Sequence, residues 1–224
     1  MPARQDDSRG YAPQIFRPDC TRCPRLARHL DEMRTAHPSY HNAPVAPFGD
    51  ARARLLIVGL APGAHGANAT GRPFTGDHAG LILYSTLHAA GLASRPVSLA
   101  HGDGLTLRNC RISNAVKCLP PANKPTTREI DTCNGYLAAE LERSPDVRAI
   151  LALGAIAHRA VLRALRLKLA EYRFAHGLEH ELPDGRALVD SYHCSRYNTQ
   201  TKRLTAPMFV KVVQRARDLA LEGS

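Results

Sequence analysis

The chain has 224 residues, 44% of them hydrophobic, which allows one domain with a core that needs no staples and excludes a disordered protein. No apolar run approaches the roughly 20 residues of a membrane span, and the opening MPARQDDSRG lacks the apolar segment of a secretory signal, so a cytoplasmic protein with no membrane partner is expected. The net charge of +10 suits a polyanionic partner, most simply nucleic acid, with a generally basic surface as the plainer reading.

Residues 1 to about 16 read as a loose arm ahead of a single domain, 17–224. Asp19–Met33 reads as a metal-binding turn running into a short helix, with Leu26, Leu30 and Met33 at helical spacing. His37–Arg52, rich in proline and small residues, reads as a loop. Leu55, Leu56, Ile57 and Val58 form a continuous apolar run, the pattern of a strand covered on both faces, expected to reach Leu60. The chain then enters the glycine-rich stretch GLAPGAHGANATGRPFTGDHAG, residues 59–80, whose glycines let backbone approach a ligand closely. A loop this long in a compact domain is usually functional, a flexible surface loop being the alternative.

Leu81–Ala90 reads as a helix stopped by Gly91, and Arg111–Val116 (RISNAV) as a second strand. Pro120, Pro121 and Pro125 mark a turn, and Thr126-x-x-Glu129 is a capping box for a helix running to about Arg143. Arg148–Leu153 is a third strand, Gly154 a break and Ala155–Lys168 a helix. Glu179–Leu182 and Ala187–Ser191 can pair around Pro183-Asp184-Gly185, and Ala206–Glu222 closes the chain as a helix. Alternating strands and helices predict an α/β fold with a mostly parallel sheet covered on both faces. Ligands of such sheets bind beyond the carboxyl ends of the strands. The loop after Leu60, Asn114–Cys118 and the stretch from His193 all fall at that edge.

Four side chains there could carry chemistry. The Asn114 amide can match a nucleobase edge, or can serve only as a turn former. His193 could donate to a developing anion or bind a metal, or be structural. Asp77 could activate water or face a developing cation, or simply cap the helix that follows. Phe74 could stack on a planar ring, or anchor the loop in the core. The glycine loop has no Gly-Lys-Ser/Thr ending and fits the dinucleotide pattern poorly, so a triphosphate site is weak. Six cysteines in a cytoplasmic chain are not read first as disulfides. Cys20-x2-Cys23 has ligand spacing and Cys118 with Cys133 makes the best second pair; spacing leaves zinc and an iron–sulfur cluster both open. A non-enzymatic, metal-stabilised nucleic-acid-binding module and an electron-transfer protein are the rival readings.

Three stretches, GLAPGAHGANATGRPFTGD, NAVKCLPPANKPT and HCSRYNTQTKRLT, resemble the signature stretches of the iron–sulfur uracil-DNA glycosylases, and most of all family 5, the type B enzymes. The resemblance spans Cys20 to about Phe209. It implies a four-stranded parallel sheet flanked by helices, and a structural [4Fe–4S] cluster on Cys20, Cys23, Cys118 and Cys133. It places the base pocket among Gly59, Ala61, Gly63, Phe74, Asn114 and His193, with Asp77, Asn114 and His193 catalytic. It implies a monomeric, monofunctional enzyme acting on DNA containing uracil or related deaminated bases such as hypoxanthine. The segment Ser195–Leu204, with Arg196, Tyr197, Asn198, Lys202 and Arg203, would enter the DNA minor groove. Two positions depart from the family pattern: Cys194 stands where proline is usual, and Gly63 where alanine is common.

Overall fold

The computed structural model describes residues 16–222, so most of the arm expected over 1–16 lies outside the described residues. In chain order the elements are α1 (Pro24–Ala36), β1 (Phe48–Gly49), β2 (Leu55–Gly59), α2 (Ala67–Thr70), α3 (His78–Ala89), β3 (Cys110–Asn114), α4 (Thr127–Glu142), β4 (Ala149–Leu153), α5 (Ala155–Ala164), β5 (Glu179–Glu181), β6 (Ala187–Ser191), α6 (Arg196–Gln200) and α7 (Ala206–Leu221). No helix among the described residues is long and apolar enough to cross a membrane.

The apolar run of β2 is buried at every position, as its composition requires. Its side chains alternate between two cores. Leu55 and Ile57 join the core under α3 and α7, whereas Leu56 and Val58 join that under α4 and α5. Successive side chains of a strand point to opposite faces, so a central strand between two helical layers must be apolar throughout.

The sheet has six strands in the order β1-β3-β2-β4-β6-β5, which corrects the expectation of four. The four inner strands are parallel, while β1 and β5 add antiparallel edges to β3 and β6. Three-residue β5 pairs with β6 around the expected turn, and two-residue β1 lies within the stretch read as loop. Such short edge strands leave little unpaired backbone to attract another chain.

Other boundaries shift for local reasons. The ladder of β3 stops at Asn114 because its partner β2 ends at Gly59, although Ala115 and Val116 still donate backbone bonds to Gly59 and Leu60. The helix expected to reach Lys168 ends at Ala164, since Arg166 turns left-handed at φ +58°. The capping box of α4 forms as read: Thr126 and Glu129 each accept from the other's backbone N–H.

Candidate active site

All four parallel strands deliver a polar or glycine residue to one end of the sheet. β2 ends at Gly59, β3 at Asn114, β4 runs into Gly154, and β6 leads through Tyr192 to His193. There a cleft of about 730 Å³ opens, its walls including Ala61, Gly63, Phe74, Asp77 and His193. That volume is ordinary for a site enclosing a small organic group.

Gly59 lets two of these side chains meet. A Cβ placed on it would lie 2.5 Å from Asn114 Oδ1 and 2.5 Å from Phe74 Cζ. Asn114 thus sits just behind Phe74, 3% exposed, and its Oδ1 is buried without a protein partner. The Phe74 ring faces the His193 ring at 5.8 Å between centroids and 26° between planes. Phe74 and His193 therefore wall one hollow, while Asn114 and Gly59, both expected in the base pocket, lie behind Phe74 and are not among the residues that line it.

Phe74 holds a left-handed backbone, φ +53°, which a bulky residue adopts only when its surroundings over-determine it. Those surroundings are dense. The Pro73 carbonyl accepts from Tyr84 Oη at 2.8 Å, and Thr75 Oγ1 pairs with Ser98 Oγ at 2.7 Å. Arg72 donates to Ser98 at 2.9 Å and to Asp103 at 2.8 Å, with its guanidinium over the Phe48 ring. A Cβ on Gly80 would come within 1.8 Å of the Phe74 carbonyl, so only glycine lets α3 pass this turn. Burial pushes the Tyr84 phenol up to about 12, keeping it a neutral donor.

Asp77 is the N-cap of α3, accepting from the Gly80 N–H through Oδ1 at 2.8 Å. The capping reading is therefore correct, but it uses one oxygen. The other, Oδ2, lies over the glycine loop, 3.2 Å from where a Gly63 Cβ would stand and 2.5 Å from one on Gly66. Burial lowers the His193 pKa from its ordinary value, with the Asp77 charge opposing, and its Nδ1 has no protein partner. The imidazole is thus neutral near pH 7, and its Nδ1 is left free to donate or accept.

The basic segment after His193 divides. Arg196 and Tyr197 line the cleft, and Tyr197 is 70% exposed. Asn198 turns inward and donates to the His193 carbonyl at 2.8 Å. Lys202 is exposed, whereas the Arg203 guanidinium lies 4.6 Å over the Tyr192 ring. Ser195 caps α6, and Thr199 bonds His78 at 2.9 Å, so this segment is a short, anchored helix rather than the loop expected. Among the wall residues that the sequence reading missed are His78, Lys124, Gly154 and Ile156. Gly154 and Ile156 were findable, because they follow the carboxyl end of β4 just as Asn114 ends β3.

Cys20, Cys23, Cys118 and Cys133 line one small cavity, packed through a satellite core against Ala61 and Ala64 of the glycine loop. All four are free thiols. Burial raises the pKa of Cys118 and Cys133, and the nearby Cys20 and Cys23 raise both further, so the four are near neighbours. Among the described residues, the trio whose ligand atoms all fall within 4.8 Å of one another is His158, His180 and Asp190, not a set of cysteines. Both ring nitrogens of His158 are already engaged, by Asp190 at 2.8 Å and the Tyr172 carbonyl at 3.0 Å. The cysteines encircle a space instead of converging on a point, which fits a polynuclear group better than one tetrahedral ion.

Comparison with known proteins agrees with this geometry. Residues 46–217 match the family model described as the Uracil DNA glycosylase superfamily. A type-5 uracil-DNA glycosylase of Thermus thermophilus is 47% identical over 206 residues, covering 90% of this chain and 94% of that one. A type-5 enzyme of Pyrobaculum aerophilum is 42% identical over 202 residues, 88% of each chain. A type-4 uracil-DNA glycosylase of Thermotoga maritima is 30% identical over 178 residues, 79% of this chain and 76% of that one. The chain belongs to the uracil-DNA glycosylase superfamily, alongside its type-5 members.

Proposed function

We propose that the protein is a monofunctional uracil-DNA glycosylase that hydrolyses the N-glycosidic bond of uracil, and of related deaminated bases such as hypoxanthine, in DNA. The observation that carries this reading is that Phe74, Asp77 and His193 wall one cleft with Asn114 directly behind Phe74, Asn114 Oδ1 and His193 Nδ1 being buried and unpartnered. A buried polar atom left unpaired costs about 1–3 kcal/mol, so such atoms at a cleft are ready for a ligand's polar edge.

A glycosylase must extrude its base from the stack and grip it. Phe74 supplies the stacking face. Asn114 Oδ1 accepts from the base N–H, and its amide NH2 donates to a carbonyl of the base. Neutral His193 donates to O2, where negative charge gathers as the bond breaks. Asp77 Oδ2 orients the attacking water and offsets the positive charge of the oxocarbenium-like sugar. Ala61, a short side chain of the cleft wall that carries no charge, leaves room for larger deaminated purines. Arg196, Tyr197, Lys202 and Arg203 face the DNA, and Asn198 holds the His193 backbone in place.

Cys20, Cys23, Cys118 and Cys133 would hold a [4Fe–4S] cluster, which when bound supplies a structural cross-link. Their packing against Ala61 and Ala64 supports that scaffolding role. The protein would act as a monomer in the cytoplasm, its one catalytic domain spanning 17–224.

The test is base release from a uracil-containing duplex. Wild type should release uracil and leave an abasic site, His193→Ala should fold and lose most of that activity, and the purified protein should be brown. A borohydride-trapped adduct dependent on Lys124 would contradict the monofunctional assignment. A colourless zinc protein that binds DNA without cleaving it would overturn the reading as a whole.

A further inference from the structure

Lys117 is 1% exposed, among the largest fully buried side chains of the molecule. A buried ammonium is costly unless every proton finds an acceptor. Here oxygens surround it. Nζ sits 2.6 Å from Glu140 Oε1, donates to the Asn114 main-chain carbonyl at 2.9 Å, and donates to Ser113 Oγ. Ser113 in turn donates to Glu140 Oε2 at 2.5 Å. Two hydrogen bonds and one ion pair thus surround Nζ, a set that no neutral side chain of this length can serve.

The place of this cage in the fold matters. Ser113 and Asn114 are the last residues of β3, where its ladder ends, and Glu140 comes from α4. The Lys117 side chain folds back across the turn and grips the Asn114 carbonyl. Its own backbone N–H donates to Cys133 Sγ at 3.3 Å. One residue thus ties the end of the strand to the cysteine cluster. Well-packed apolar side chains would serve stability at least as well as a buried ion pair, so packing alone does not call for a charge here.

We infer that Lys117 is a positioning residue for Asn114: caged by Glu140 and Ser113, it holds the Asn114 main chain so that the amide meets the base in one orientation. This rests on the reading of Asn114 as the base-gripping amide. A displacement of about 1 Å in such a group is enough to cost about a hundredfold in rate.

The test compares wild type, Asn114→Ala, the charge-free pair Lys117→Met/Glu140→Gln, and the triple variant. Single-turnover release of uracil from a duplex is measured across enzyme concentrations, with folding checked by thermal melting. The charge-free pair should lower the maximal rate about ten- to a hundredfold, with the half-saturating concentration changed less than about threefold. In the Asn114→Ala background the same two changes should alter the rate less than about twofold, because they act through Asn114. A merely structural role would not give that loss of effect. If the charge-free pair fails to fold, Ser113→Ala and Glu140→Gln replace it, each leaving Lys117 in place. Each should slow wild type about three- to tenfold and leave Asn114→Ala unaffected. A charge-free pair as fast as wild type, or a loss that multiplies fully with that of Asn114→Ala, overturns the inference alone. Asn114→Ala at the wild-type rate overturns the reading of Asn114, and this inference with it.

Discussion

Gly59→Ala tests the geometry at its tightest point. The added Cβ would stand 2.5 Å from both Asn114 Oδ1 and Phe74 Cζ, where ordinary contact begins at 3.4 Å. Each neighbour must retreat by about 0.9 Å, and neither can do so freely. Phe74 is locked in a left-handed turn by Arg72, Thr75 and Tyr84, and Asn114 ends a strand in the sheet interior. Gly59 does not itself have a positive φ, so the backbone tolerates alanine and the effect is purely steric. Overpacking of this kind costs about 1–3 kcal/mol of stability. Displacing two base-gripping groups by about 1 Å should slow uracil release about a hundredfold, or about 2.7 kcal/mol in the barrier. The assay is single-turnover cleavage of a uracil duplex beside a thermal melt. A Gly59→Ala protein that cleaves within twofold of wild type would show that Phe74 and Asn114 are not jointly positioned at the reacting base.

Three further outcomes are expected. Asp77→Asn keeps a capping side chain, so stability should change by less than about 0.5 kcal/mol while cleavage falls about 10²–10⁴-fold; Asp77→Ala should lose about 1 kcal/mol more. Equal activity of Asp77→Asn and wild type would reduce Asp77 to a cap. Arg72→Met takes the guanidinium from the Asp103 carboxylate, which burial pulls upward but Arg72 and the N–H groups of Leu105, Leu99 and Ala100 hold well below its ordinary pKa. Because those N–H groups remain, the change should cost about 1.5–3 kcal/mol in denaturant titration and loosen Phe74; a loss under about 0.5 kcal/mol would contradict it. Burial lowers the His193 pKa in the folded state, so the folded protein binds fewer protons than the unfolded chain. The resulting stability is present above the ordinary value of 6.5 and is lost as pH falls through the lowered folded value. His193→Asn should therefore lose less stability than wild type between pH 7 and 5, and parallel stability curves for the two would refute the shift.

Much of the fold was legible because its signals are strong. The apolar run Leu55–Val58, the capping box at Thr126 and the turn at Asp184 all reappear where read. The edge strand β1 was not legible, since two residues carry no periodicity. Neither was α6: a basic, polar stretch reads as loop until His78 and the Ser195 cap anchor it. That the glycine loop, the end of β3 and the stretch from His193 share one edge of the sheet followed from the strand-end rule, whereas the place of Asn114 behind Phe74 did not. The left-handed turn at Phe74 could not be foreseen, because it depends on Ser98 and Asp103, which reach it from another part of the chain. For the same reason Asn198 was read as a DNA contact. Its bond to the His193 carbonyl exists only in the folded segment.

The most direct measurement is a crystal structure of Asp77→Asn bound to a duplex carrying a single uracil. It should show the base extruded into the cleft, its face on Phe74, its edge bonded to the Asn114 amide and its O2 within hydrogen-bond reach of His193. A uracil left stacked in the duplex, or lodged where these three side chains do not meet it, would contradict the assignment at its root.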